Sequence, residues 1–306
     1  MIIVVGPGQG SQTPGFLDPW IAHPQSKALL ESLSAAADVD LVKHGTVSDA
    51  DTIRDTQIAQ PLIVAAGILA LDQLSETDHL SKTGGIAGHS VGEFTAAVGA
   101  GVLDALDALT LVGIRGRAMA EAAAQAATGM SAVIGGEQAD IDAALVKHGL
   151  SPANYNGGGQ LVVAGPLTGL AALADEPPAG ARVIPLQVAG AFHTNFMSPA
   201  VDALRAAAAE VNTHDPRVTL WTNKDGSVVT DGKQYLELMV GQVSNPVRWD
   251  LCMASFEKAG VTGIIELAPA GAIVGLAKRA LKGVPTVAIK TPDDLAAARE
   301  LIDSLS

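Results

Sequence analysis

The spacing of apolar residues along this chain changes several times, and each change predicts an element. Residues 2–5 form a short β-branched run stopped by Gly6-Pro7, the pattern of a fully buried strand. The run 56–71 is apolar and uncharged, and residues 61–74 read as a helix with Pro61 in its first turn. Residues 84–87 read as a second strand, which Gly88-His89-Ser90-Val91-Gly92 turns into a helix ending near Ala100. Leu106, Leu109, Val112 and Met119 recur at near-helical spacing, so residues 105–125 form a long helix with Asp104 as its cap. Strands alternating with helices point to a parallel sheet covered on both faces.

The rhythm then shifts. Strand 130–134, helix 137–148, a short strand at Asn154-Tyr155, strand 161–163 after Gly157-Gly158-Gly159, helix 167–174 and strand 182–188 follow one another. That order, βαββαβ, is a ferredoxin-like split unit. Residues 127–190 are therefore expected to be a small subdomain inserted into a larger α/β domain made of 1–126 and 191–306. The larger pattern resumes with helix 198–211, strand 218–221 and helices 234–243 and 249–258. It closes with strand 263–267, helix 272–281, strand 286–289 and helix 293–305.

Composition narrows the function classes. Lys and Arg total 19 against 32 Asp and Glu, a formal net charge of −13. Nucleic acid is not expected as a partner, because phosphate neutralisation needs a cationic face. A single cysteine, Cys252, makes neither a disulfide nor a Cys-rich zinc site and reads as a buried small hydrophobe. No metal is expected. The apolar amino terminus lacks a basic flank and breaks at Gly6-Pro7, and the 56–71 run falls short of the roughly 20 residues of a spanning helix. The expectation is a cytoplasmic protein without a membrane partner.

Gly88-His89-Ser90-Val91-Gly92 has the G-x-S-x-G form of a nucleophile elbow, in which glycines allow a sharp strand-to-helix turn around a strained serine. The alternative is a glycine-rich turn with an idle serine. A serine nucleophile needs a base, and seven histidines compete. His89 adjoins Ser90, but neighbouring side chains in such a turn point apart. His193 ends an apolar segment at the subdomain junction and is the best placed. No acidic residue stands out to orient it. The loop Gly6-Pro7-Gly8-Gln9-Gly10-Ser11-Gln12 matches neither a dinucleotide fingerprint nor a P-loop. Gln9, with the Val91 amide, can supply an oxyanion hole; the plainer reading is a tight turn. Arg115, flanked by aliphatic residues and glycines, calls for a carboxylate, either an internal Asp or Glu or that of a bound substrate. Arg117 points to another helix face and reads as solvated.

Together these segments resemble the malonyl-CoA:acyl carrier protein transacylase family. The resemblance rests on Gly8-Gln9-Gly10-Ser11-Gln12, Ala59-Gln60-Pro61, Gly88-His89-Ser90-Val91-Gly92-Glu93, Arg115-Gly116, Asn154-Tyr155-Asn156, Ala191-Phe192-His193, Asn245-Pro246-Val247-Arg248-Trp249 and Gly275-Leu276-Ala277-Lys278-Arg279. It implies an α/β-hydrolase-like parallel-sheet core carrying the ferredoxin-like subdomain. It implies that Ser90 carries the acyl ester, that His193 is its base, and that the backbone carbonyl of Gln242 holds the histidine in place of an acid. The Gln9 and Val91 amides would form the oxyanion hole, and Arg115 would clamp the malonyl carboxylate. Gln60 and Asn156 would support the cleft, and Phe192 resembles the malonyl-selecting version of the family. Val91 stands where Leu is usual and Phe94 where Tyr is usual. The substrates implied are malonyl-CoA and a phosphopantetheinylated acyl carrier protein, with no bound cofactor and a monomeric enzyme. Because carrier proteins of this kind are acidic, docking needs a local basic patch, for which Lys278, Arg279 and Lys282 on one late helix are the candidates. A serine hydrolase or thioesterase is the rival enzyme, and a carrier-docking scaffold with a dead site the rival from another class.

Overall fold

The run Ile2-Ile3-Val4-Val5 is buried throughout because a parallel partner lies on each of its edges. In the computed structural model, which describes residues 1–305, the strands are β1 (Ile2–Gly6), β2 (Gly85–Gly88), β3 (Thr128–Gly135), β4 (Ser151–Gly157), β5 (Gln160–Pro166), β6 (Ala181–Pro185), β7 (Thr219–Leu220), β8 (Gly263–Glu266) and β9 (Thr286–Ala288). Five of them form an all-parallel sheet in the order β7-β2-β1-β8-β9. The other four pair antiparallel in the order β4-β5-β3-β6, the strand order of a ferredoxin-like unit. Helices Gln138–His148 and Leu167–Asp175 pack on that smaller sheet around Val133, Leu145, Leu161, Val163 and Leu173. The expected α/β core with its ferredoxin-like insert is the observed fold.

Several elements differ in detail from the expectation. The helix around Pro61 begins at Thr56, where the Asp55 side chain accepts the Gln57 N–H at 3.0 Å, and runs to Ser75. Pro61 is thus inside the helix rather than in its first turn. At 20 residues this helix is long and apolar enough to cross a membrane, but 78% of its most apolar window is buried inside the fold. It is hydrophobic all round because other elements surround it. Asp104 occupies the N-cap of helix Ala105–Ala123, but its side chain accepts no capping hydrogen bond. Helix Ser198–Ala208 stops three residues early, and the late helix Ala272–Ala280 ends before Lys282, which lies outside it. Helices Pro24–Ala37 and Leu41–Thr46 were not among the expected elements. Their sequence signal is Leu30, Leu33 and Ala37 at helical spacing behind Pro24. Arg117 is half-buried, and its Nη1 donates to the Ala37 carbonyl at 3.0 Å, closing the first of these helices instead of facing water.

A seam joins the two sheets. Tyr155 N–H donates to the Val247 carbonyl and Val247 N–H to the Ala153 carbonyl, each at 2.9 Å, so β4 gains a parallel bridge from the large unit. The Arg248 guanidinium lies 4.5 Å from the centre of the Tyr155 ring and pairs with Asp250. Above the carboxyl ends of β1 and β2, between the two sheets, a cleft of about 460 Å³ opens.

Candidate active site

The Gly-bracketed turn makes the sharp bend that its sequence predicts. β2 ends at Gly88, and helix Gly92–Gly99 starts four residues later. A Cβ on Gly88 would overlap the Gly92 carbonyl, and one on Gly92 would overlap the Gly6 carbonyl, so both positions need glycine. Ser90 between them has φ +55°, a left-handed conformation costly to any residue with a Cβ. Asn223 holds that conformation. Its Oδ1 accepts the Ser90 N–H at 2.8 Å, and its Nδ2 donates to the Gly88 carbonyl at 2.7 Å.

His193 reaches the serine from the loop after β6. Its Nε2 lies 2.7 Å from Ser90 Oγ, and its Nδ1 lies 2.9 Å from the backbone oxygen of Gln242. Because a carbonyl only accepts, Nδ1 carries the proton and Nε2 is free to accept from the serine. His193 also has a positive φ, +59°. Burial, reinforced by the nearby Arg115 charge, pushes the imidazole down to about 3, so it is neutral at physiological pH. His89 turns away, as expected of the neighbour in such a bend: its Nε2 lies 2.9 Å from Asn156 Oδ1 and its ring stacks edgewise on Trp249. Burial lowers its pKa too.

Arg115 is 1% exposed and lines the same cleft. Two neutral amides hold it. Nη1 donates to Gln60 Oε1 at 2.6 Å and Nη2 to Gln242 Oε1 at 3.2 Å, while Gln60 Nε2 lies 3.5 Å from the Met119 sulfur. Among the described residues no carboxylate comes within 4.0 Å of the guanidinium, and its buried Nε has no partner. Burial lowers its pKa to about 10, opposed by Glu93. Of the two partners the sequence allowed, the internal acid is thus not in contact. Gln9, Val91, Asn156 and Phe192 also line the cleft. The Gln9 side chain donates to the Arg54 carbonyl at 3.3 Å, which leaves its main chain at the cleft wall. Lys278, Arg279 and Lys282 are exposed, with Arg279 at the rim.

Asn223 and Glu93 are the two site residues that the sequence did not single out in these roles. Both are buried, and they contact each other through the Asn223 N–H and Glu93 Oε1 at 2.7 Å. Glu93 closes the quoted serine motif, which is the one local signal available; nothing near Asn223 in sequence marks it.

The arrangement supplies a serine nucleophile, a neutral base with its second nitrogen fixed, and an unneutralised cation facing one cleft. Known proteins resemble this chain in sequence and in fold. Residues 4–293 match the acyl transferase domain family. The malonyl CoA-acyl carrier protein transacylase of Mycobacterium bovis is 49% identical over 296 residues, covering 96% of this chain and 98% of the relative. That of Escherichia coli K12 is 33% identical over 304 residues, covering 97% and 98%. The crystal structure of MCAT from Mycobacterium tuberculosis superposes with a TM-score of 0.95 at 48% identity, over 98% of this chain and 99% of that one. A malonyl-transacylase solved in complex with its type II PKS acyl-carrier protein has a TM-score of 0.92 at 29% identity, over 98% and 99%. With that agreement along its whole length, in sequence and in fold, the chain belongs to the malonyl CoA-acyl carrier protein transacylases of the acyl transferase family.

Proposed function

We propose that this enzyme moves a malonyl group from malonyl-CoA to the phosphopantetheine thiol of an acyl carrier protein through an ester on Ser90. His193 Nε2 takes the Ser90 proton as Oγ bonds to the thioester carbon. The Gln9 and Val91 amides receive the developing oxyanion, the second of them at the start of helix Gly92–Gly99, where the dipole favours negative charge. The C–S bond then breaks, and the imidazolium returns its proton to the departing thiolate of coenzyme A. In the second half the carrier thiol gives its proton to His193 and attacks the ester, and Ser90 recovers its hydroxyl. Phe192, beside the base, favours malonyl over branched analogues by occupying the space a methyl branch needs. Arg279 at the rim and the exposed Lys278 beside it meet the acidic carrier. A cytoplasmic location fits a coenzyme A thioester as substrate.

One observation carries this reading: Arg115 sits buried in the serine's own cleft, gripped by amides and not by an acid, so its charge is left for a carboxylate on the acyl group. The carboxylate also strengthens the base, because pairing with Arg115 offsets one of the charges that depress His193. Intact mass after mixing with malonyl-CoA tests it. Wild type gains one malonyl group and Ser90→Ala gains none. Hydrolysis of malonyl-CoA with no adduct, in the absence of acceptor thiol, would mark a thioesterase instead.

A further inference from the structure

Behind Arg115 lies a buried carboxyl group that the mechanism above does not use. Glu93, in the first turn of helix Gly92–Gly99, is 1% exposed. Its Oε1 accepts the Asn223 N–H, and its Oε2 accepts from Gln242 Nε2. The same Nε2 lies 3.1 Å from Asn223 Oδ1, while Gln242 Oε1 accepts from Arg115 Nη2. The Gln242 amide therefore has one satisfied orientation, with its carbonyl on the cation and its NH₂ on three acceptors, the third being the Ser90 carbonyl at 3.5 Å. Turned over, it would set NH₂ against guanidinium and carbonyl against carboxyl.

Only a carboxyl group accepts at both terminal atoms; an amide there would point its own NH₂ at one of two N–H donors. Burial pushes Glu93 up to about 8 against the pull of the Asn223 amide and the Arg115 charge, and the ionised form is the one that accepts at both oxygens with no donor of its own. Thr222, Tyr235 and Cys252 complete its surroundings.

We propose that Glu93 is a positioning residue for acyl-group selectivity: by fixing the Gln242 amide it keeps a carbonyl oxygen on Arg115 and so aims the guanidinium at the acyl carboxylate. This rests on the clamp role of Arg115 given above. A neutral amide grips the cation without neutralising it, and a buried carboxyl one side chain further back sets which end of that amide faces forward.

The test compares malonyl and acetyl transfer in Glu93→Gln, in the double variant Glu93→Gln with Gln242→Glu, and in Arg115→Ala, with thermal unfolding of each. In Glu93→Gln malonyl transfer falls at least about tenfold more than acetyl transfer, the scale of one charge-assisted hydrogen bond. The double variant restores donor facing acceptor between residues 93 and 242 but places a carboxylate on Arg115. It is more heat-stable than Glu93→Gln and still fails to transfer malonyl preferentially. Equal losses for the two acyl groups in Glu93→Gln, or wild-type malonyl preference in the double variant, overturn the proposal. If Glu93→Gln does not fold, recovery of folding in the double variant supports the pairing of residues 93 and 242, and a double variant that also fails to fold overturns the proposal. Loss of selectivity in Arg115→Ala but not in Glu93→Gln refutes the positioning role and leaves the clamp standing; unchanged selectivity in Arg115→Ala refutes the clamp itself.

Discussion

Ser90 and His193 meet at 2.7 Å across 103 residues of sequence, and each does so from a left-handed backbone conformation. Strain at one such position costs on the order of 1–3 kcal/mol and persists only where the surroundings hold it. Around Ser90 those surroundings are the Gly88 and Gly92 contacts and the two Asn223 bonds. Gly92→Ala should therefore lower the free energy of unfolding by about 1–3 kcal/mol through overlap with the Gly6 carbonyl. Denaturant unfolding measures the loss, and acyl-enzyme formation should fall with it. A variant as stable and as active as wild type would mean that the elbow tolerates a side chain.

Arg115→Ala removes the buried cation of the cleft. Malonyl transfer should fall by about 30- to 1000-fold, or about 2–4 kcal/mol, the worth of a charge-assisted bidentate pair. Acetyl transfer should fall far less, since acetyl has no carboxylate to lose. Rates for both acyl-CoA substrates, measured side by side, check this.

The depressed pKa of His193 has two consequences for pH. Catalytically, acylation needs the neutral ring, so its rate should show no step at the ordinary histidine value of 6.5 and should fall only toward about 3. A half-loss near 6.5 in the pH profile of acyl-enzyme formation would contradict the burial argument. For stability, the unfolded chain binds a proton on this histidine below 6.5 and the folded one does not until about 3. Stability should thus fall as pH drops through that window. Wild type should lose more than His193→Gln between pH 6.5 and pH 4 in matched urea titrations.

Reversing Lys278 and Arg279 to Glu should raise the KM for the carrier protein several-fold and reduce the salt dependence of transfer, while acylation by malonyl-CoA stays as it was. Both side chains are exposed and Arg279 borders the cleft. Equal KM values for wild type and variant would move the docking surface elsewhere.

Most of the scaffold was legible because its signals are local. β-branched runs punctuated by glycine marked β1 and β2, and the change of period near residue 127 marked the antiparallel insert. Ser90 and Arg115 stood out for similar reasons, one between glycines and the other a charge among aliphatic residues. What was not legible is set by distance along the chain. Gln242 acts on His193 through a main-chain atom, so its side-chain type says nothing about that bond. Asn223 reaches Ser90 across 133 residues from the loop after β7, a strand of only two residues. Glu93 was in plain view, but which of its oxygens meets which donor depends on two distant loops. Pro61 was misplaced because a proline is expected in a helix's first turn, whereas this helix, buried along most of its length, runs through it.

The seam between β4 and Val247 limits how the cleft is filled. Two main-chain bonds and a cation resting on a ring tie the smaller sheet to the large unit beside the cleft. A cargo borne on something slender can reach Ser90 past Arg279 while the body that bears it stays outside. A long pantetheine arm has that shape, and coenzyme A and the carrier protein share it, so one cleft can serve both the donor and the acceptor in turn.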